Sequence, residues 1–220
     1  MSQPQKIRLP LPNGDAVPEL SERMMRASEQ TPDPSSRAQR RAAEYRPDLA
    51  TAMGELHASA VRLGDLDPQT SELVRLRCAT WHNCRVCKSL RHVTDGKRVL
   101  DESTAAKVAA YEDSDLDDRQ KVALRLADAY MTVPGLIDEE LSAHIRRDFT
   151  DSEVTEMLLD IIAWTQQKPL VALALDIPPD PSALTSLDFD ELGEPIIGAT
   201  LDSGRGARSP HPMSSRRRSG

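Results

Sequence analysis

From Leu49 onward, apolar residues recur at intervals of three and four, and this spacing constrains the fold more than any other feature of the chain. Leu49, Met53, Leu56, Ala60 and Leu63 fall on one stripe of a helix with a buried face, because residues three or four apart lie above one another on its surface. Pro47 fits the first turn, where a missing N–H costs nothing. Asp67 followed by Pro68 supplies an N-cap and a favoured first residue for a second helix, whose stripe is Leu73, Leu76 and Thr80. Asn83 caps a third, in which Val86, Leu90 and Val93 share a face until Asp95-Gly96 breaks the pattern.

The same signals continue downstream. STAAKVAAYED forms a short helical segment, DDRQKVALRLADAYMTV starts at Asp117 and stops at Pro134-Gly135, and DEELSAHIRRDF starts at Asp138. Thr150 and Glu153 make a capping box ahead of Val154, Met157, Leu158, Ile161 and Ile162, and Pro169 kinks or restarts that helix. Nothing reads as an alternating strand, and there is no internal repeat or glycine-rich phosphate loop, so the expected fold class is all-α. Only 3% of the residues are aromatic, which makes the core an aliphatic one of Leu, Ala, Val and Ile.

Helical patterning divides the chain into three parts. Residues 1–46 form an N-terminal arm in which PELSERMMRASEQ is a short helix between proline-containing stretches; residues 47–177 form the helical domain. Residues 178–220 are rich in Pro, Gly, Ser and Asp without periodicity and are expected to be a disordered tail. The net charge of −7 argues against a nucleic-acid partner, and the arginine triplet Arg216 to Arg218 reads as a solvated charged end. No apolar run approaches the roughly 20 residues needed to cross a bilayer, and the start MSQPQKIRLP lacks the apolar stretch of a secretory signal, so no membrane role and a cytoplasmic location are expected.

Three cysteines, Cys78, Cys84 and Cys87, are too few and odd in number for a disulfide framework, and in a reducing compartment a Cys-x-x-Cys is a redox or metal element more often than a clasp. Cys84 opens the third helix, where unpaired N–H groups favour an anion, and Cys87 follows one turn later on the same face, a spacing that permits a reversible disulfide. Arg85, Lys88, Arg91 and His92 surround the pair with positive charge. A thiol at its ordinary pKa of about 8.5 is only a few per cent ionised at neutral pH, so a drop of roughly 1.5 raises the thiolate to about half. Two competing readings are structural zinc, which usually draws ligands from two separated segments, and a thioredoxin motif, which needs flanking strands. A third is that both thiols simply pack as small hydrophobes, the role expected of Cys78. Glu72 by itself is an ordinary carboxylate in the first turns of a helix, and His82 by itself a residue that ends one, though it can polarise the pair; His57 and His144 carry no assigned role.

Glu72, eleven intervening residues and then Cys84-Arg-Val-Cys87 resemble the signature of the AhpD-like alkylhydroperoxidase and carboxymuconolactone decarboxylase superfamily. The resemblance extends from about Pro47 to Ile177 and includes DRQKVALRLADAY and FTDSEVTEMLLDIIAW. It implies an AhpD-like helical domain that forms a homo-oligomer and carries antioxidant, peroxiredoxin-type oxidoreductase activity with no metal or organic cofactor. The implied partners are a small hydroperoxide substrate and a thiol or dithiol electron donor. By the same resemblance Cys87 is peroxidatic, Cys84 resolving, and Glu72 relays protons. The family histidine four residues past the second cysteine is replaced by Arg91, which could act as a fixed charge on the thiolate, with His92 adjacent. A decarboxylase-like lyase acting on a small lactone acid, and a non-enzymatic redox-responsive helical oligomer, are the alternative readings.

Overall fold

Local capping chemistry sets the helix starts. In the computed structural model, which describes residues 45–61, 64–166, 168–191, 193 and 195–201, the Asp67 carboxylate accepts from the Thr70 N–H at 2.9 Å and opens a helix over Pro68–Trp81. Asp117 with Gln120 and Thr150 with Glu153 form capping boxes that open Asp118–Thr132 and Asp151–Thr165. In chain order the helices are α1 (Pro47–Ala60), α2 (Pro68–Trp81), α3 (Arg85–Ser89), α4 (Glu102–Lys107), α5 (Asp118–Thr132), α6 (Glu139–Asp148), α7 (Asp151–Thr165) and α8 (Lys168–Ala172). The strands are β1 (Leu90–Thr94), β2 (Lys97–Arg98), β3 (Leu184–Phe189) and β4 (Pro195–Leu201). The chain is thus mostly helical with a small sheet. The N-terminal arm as far as residue 44, with its expected helix, and the tail beyond 201 lie outside the described residues.

Helices α2, α5 and α7 pack together around Leu73, Val74, Leu124, Met157 and Ile161, all completely buried. Cys78 belongs to this core. The stripe expected on α1 does not face it: Leu49, Met53 and Leu56 are exposed, while Ala58 and Ala60 are buried where α1 meets α7. Thr80 is likewise exposed, because the central α2 buries Leu73, Val74, Arg75 and Leu76 instead. Among the described residues no helix is long and apolar enough to cross a membrane.

The third helix ends early, and the expectation of no strand fails with it. After Ser89 the chain becomes β1, because Asp95 and Gly96 both take positive φ (52° and 73°) and fold a two-residue turn that matches strand twist, pairing Val93 with Arg98. β1 also pairs in parallel with β3, Leu90 opposite Thr185 and His92 opposite Leu187, and β3 pairs antiparallel with β4. The sheet order is β2-β1-β3-β4. Residues expected to be a disordered tail therefore form a hairpin over 184–201, whose turn docks on α1: Gly193 has φ +78° and approaches so closely that a Cβ would lie 2.3 Å from the Ala58 carbonyl oxygen.

Candidate functional site

His82 ends α2, its N–H bonding back to the Cys78 carbonyl, and Asn83 then reverses the chain with φ 53°. Asn83 is not the cap that its position suggests; its side-chain oxygen accepts from Lys88 Nζ at 2.6 Å. The cap is Cys84 itself, whose Sγ accepts from the Cys87 N–H at 3.3 Å. Cys84 is buried and Cys87 half-buried, and the two are joined as a disulfide with their Cα atoms 5.3 Å apart. With five residues, α3 offers far less macrodipole than the full helix expected there.

The cations around the pair are already engaged. Asp176 accepts from both the backbone and the guanidinium of Arg85, at 2.9 Å and 2.7 Å, and so holds the start of α3 from the far end of the domain. Arg91 pairs with Glu102 at 2.8 Å and donates to the Lys88 and Leu90 carbonyls, which pins the end of α3. Adjacent strand residues point to opposite faces, so Arg91 and His92 diverge. The His92 ring turns inward and meets Phe189 edge-on at 5.4 Å, while the His92 backbone N–H donates to Glu72 Oε1 at 3.2 Å. Burial lowers the His92 pKa, partly offset by the Glu72 charge.

Beneath the thiol helix lies a buried ion pair. Glu72 receives Arg75 in a two-pronged contact, Nε to Oε2 at 2.6 Å and Nη2 to Oε1 at 2.8 Å, and both residues are almost wholly shielded from water. Arg75 then donates to the Cys87 carbonyl at 3.0 Å and the Leu90 carbonyl at 2.9 Å. A guanidinium serves this role because its planar fork can satisfy a carboxylate and two carbonyls at once. Glu72 is thereby tied to Cys87 through Arg75.

Cys84 and Cys87 both line a cavity of about 770 Å³, including its open mouth, whose other walls include Arg75, His82, Trp164, Leu187, Phe189 and His57. The C-terminal hairpin supplies Leu187, Phe189, Pro195 and Ile197. Burial pushes the His57 pKa down to about 4 and lowers that of His82, the latter helped by the Lys168 charge. On the other side of Glu72 and Arg75 a smaller cavity of about 330 Å³ is lined by Ser71, His92, Glu156 and Asp160. Asp160 accepts from Ser71 Oγ at 3.1 Å, and burial raises its pKa to about 7.

No protein-family model matches the chain. Two uncharacterised proteins from two strains of Mycobacterium tuberculosis are each 41% identical to it over 138 residues, 61% of this chain and 48% of theirs. The chain thus spans about half the length of the curated relatives it matches. Among solved structures, the alkylhydroperoxidase AhpD core of an uncharacterised peroxidase-related protein from Ralstonia eutropha superposes with a TM-score of 0.56 at 16% identity, covering 76% of this chain and 90% of that one. An Agrobacterium tumefaciens protein of unknown function, linked by its description to AhpD antioxidant defence, gives 0.52 at 19% identity over 60% and 92%. The fold is AhpD-like. The debrominase Bmp8 shares it, with a TM-score of 0.59 at 19% identity over 81% and 95%. An AhpD-like fold therefore hosts more than one chemistry, and the site has to decide between them.

Of the residues singled out in the sequence, the AhpD-like fold brings Cys84, Cys87 and His82 to one cavity and Glu72 and His92 to the other, with Arg91 on the opposite face of β1. Arg75, His57, Trp164 and Phe189 were missed. Arg75 had a local signal, since it stands three residues after Glu72 on the same helix, a spacing at which opposite charges meet. Phe189 had none, because its place depends on pairing across more than ninety residues.

Proposed function

We propose that the protein is a thiol-dependent peroxidase that reduces a hydroperoxide through Cys84 and Cys87. The observation that carries this reading is that Cys84 and Cys87 both line one largely apolar cavity while bonded to each other. In the reduced protein the Cys87 thiolate attacks the terminal oxygen of R–O–O–H. The O–O bond breaks, the alkoxide takes a proton to leave as R–OH, and Cys87 becomes a sulfenic acid. Cys84 attacks that sulfur, the S–S bond forms, and hydroxide leaves and is protonated to water. An external thiol or dithiol then reduces the disulfide. Cys87 is the nucleophile because it is the less buried of the two, whereas Cys84 is held beneath it as the helix cap.

Glu72 takes the role of proton carrier, and Arg75 is the fixed positive charge between it and Cys87. Arg91 acts as a positioning residue, because its guanidinium is neutralised by Glu102 and holds the end of α3. His92 shares the acid cavity with Glu72, and His82 flanks the thiols. The homo-oligomer would cover the outward stripe of Leu49, Met53 and Leu56 on α1.

Steady-state consumption of cumene hydroperoxide with dithiothreitol tests the reading. Cys87→Ser should abolish turnover, and Cys84→Ser should leave one rapid reaction per chain without recycling through the internal disulfide. Wild-type turnover in Cys87→Ser would sink the mechanism.

A further inference from the structure

The thiol cavity is mostly apolar, yet three rings on its wall each carry a buried nitrogen with no hydrogen-bond partner: His57 Nδ1, His82 Nε2 and Trp164 Nε1. Unpartnered buried polar atoms cost stability because they lose their water without gaining a partner, so three of them on the rings around one cavity point to a ligand. Two of them are neighbours. The His57 and Trp164 rings meet edge-on with centroids 5.1 Å apart, and Phe189 closes against both at 6.1 Å and 6.4 Å.

The chemistry of the neighbouring pair is complementary. His57 makes a hydrogen bond with the backbone of Ala163, and since Nδ1 is the unpartnered nitrogen, that bond belongs to the other one. A ring nitrogen that donates to a carbonyl carries the one proton of a neutral imidazole, which leaves Nδ1 as an acceptor. Burial keeps the ring neutral at physiological pH. Trp164 Nε1 can only donate. The wall thus offers one acceptor and one donor on two rings in contact. A hydroxyl, which both donates and accepts, satisfies the two together. An anion would leave the acceptor unmatched, and the Arg75 guanidinium that could attract one is held by Glu72 and two carbonyls. The remaining wall, with Val86, Leu90, Leu187 and Ile197, suits a hydrocarbon body.

We infer that His57 and Trp164 are specificity-determining residues that hold the hydroxyl-type head of an otherwise apolar molecule in the cavity beside the thiols. The inference deepens the peroxidase reading, on which it rests for its meaning in catalysis, by naming what would orient an R–O–O–H group; the binding itself can be measured apart from turnover.

Cumyl alcohol and tert-butylbenzene form a matched pair of probes that differ only in a hydroxyl against a methyl. A purely apolar cavity would bind the hydrocarbon more tightly, because replacing the hydroxyl by a methyl increases the gain from leaving water. The full reduced chain, titrated by ligand-observed NMR, should instead bind the alcohol at least as tightly. His57→Phe should weaken the alcohol about tenfold and the hydrocarbon less than about twofold, while His57→Gln, which keeps an acceptor, should retain the preference. Trp164→Phe should weaken the alcohol in the same selective way. Tighter hydrocarbon binding by the wild type would overturn the inference without any variant having to fold, as would equal losses for both probes in His57→Phe. Alcohol preference in a protein without hydroperoxide turnover would support the inference and remove the peroxidase reading; turnover with hydrocarbon preference would do the reverse.

Discussion

Among the described residues there are two apolar clusters, and they treat sulfur in opposite ways. The larger, formed by α2, α5 and α7, encloses Cys78 among Leu73, Leu124 and Met157, and burial pushes that thiol up to about 12. The smaller, where α3 and β1 meet the C-terminal hairpin, holds Cys84 and Cys87 against Val86, Leu90 and Leu187, with a cavity at its edge. One cluster has the area to stabilise a fold; the other is too small for that and is supported by polar ties, Asp176 to Arg85 and Glu72 through Arg75. The paired cysteines sit where the packing leaves a cavity, and the lone one where it leaves none.

The largest expected effect is on labelling. After reduction, iodoacetamide at neutral pH should modify Cys87 at least about 10³-fold faster than Cys78, since the thiolate fraction of a group near 12 is that much smaller than that of an ordinary thiol near 8.5. Comparable rates, read by mass spectrometry of the peptides, would erase the distinction between the clusters.

Next comes the ion pair that supports the smaller cluster. Glu72→Gln leaves Arg75 as a buried charge without its carboxylate and should cost about 3 kcal/mol in urea unfolding. Adding Arg75→Met should recover part of that loss while removing peroxidase turnover. A double variant less stable than the single one would contradict the pairing.

Truncations compare the clusters directly. Leu124→Ala, fully enclosed in the helical core, should cost about 3 kcal/mol, and Leu187→Ala in the hairpin about 1 kcal/mol. Activity should follow the opposite order in the folded proteins, with Leu187→Ala raising KM because it opens the cavity wall. The reverse ranking in denaturant would show that the sheet, not the bundle, carries the stability.

The smallest effect concerns Asp160, behind the ion pair. Burial raises its pKa from 3.8 to about 7, so the folded chain keeps a proton that the unfolded chain releases over that interval. Its contribution to stability is complete below about pH 4 and is lost as pH rises through 7. Asp160→Asn should therefore gain on the wild type as pH increases over this window and level off above pH 7. His57 works the other way, because its depressed pKa costs stability as pH falls from 6.5 towards 4. Thermal melts at pH 4, 6 and 8 separate the two; a constant difference between Asp160→Asn and wild type would exclude a neutral Asp160.

The helices were legible in the sequence because their signals are local. Asp67, Asp117 and Thr150 cap where their side chains can reach an N–H three residues on, and Met157 and Ile161 bury because they share a stripe. The thiol pair and its carboxylate were legible as well, through the spacing of Glu72, Cys84 and Cys87. The stretch from Leu90 to Thr94 was not: its apolar spacing also fits a helix, and only Asp95-Gly96 hints at a hairpin. The α1 stripe misled for a related reason, since periodicity says that a face is apolar without saying what covers it.

By itself, then, the sequence determined where the helices capped by Asp67, Asp117 and Thr150 begin, that the core is aliphatic, and that two thiols stand one helical turn apart. Tertiary structure alone decided that β1 pairs with a strand more than ninety residues away, that this pairing puts the His92 ring against Phe189 and Arg91 on the opposite face of β1, and that Glu72 reaches the thiol helix through Arg75. The physical reason is range. Caps and helical stripes are fixed by contacts within four residues, whereas a strand's partner, a cavity's far wall and a buried charge's counter-ion come from parts of the chain that meet only when it folds.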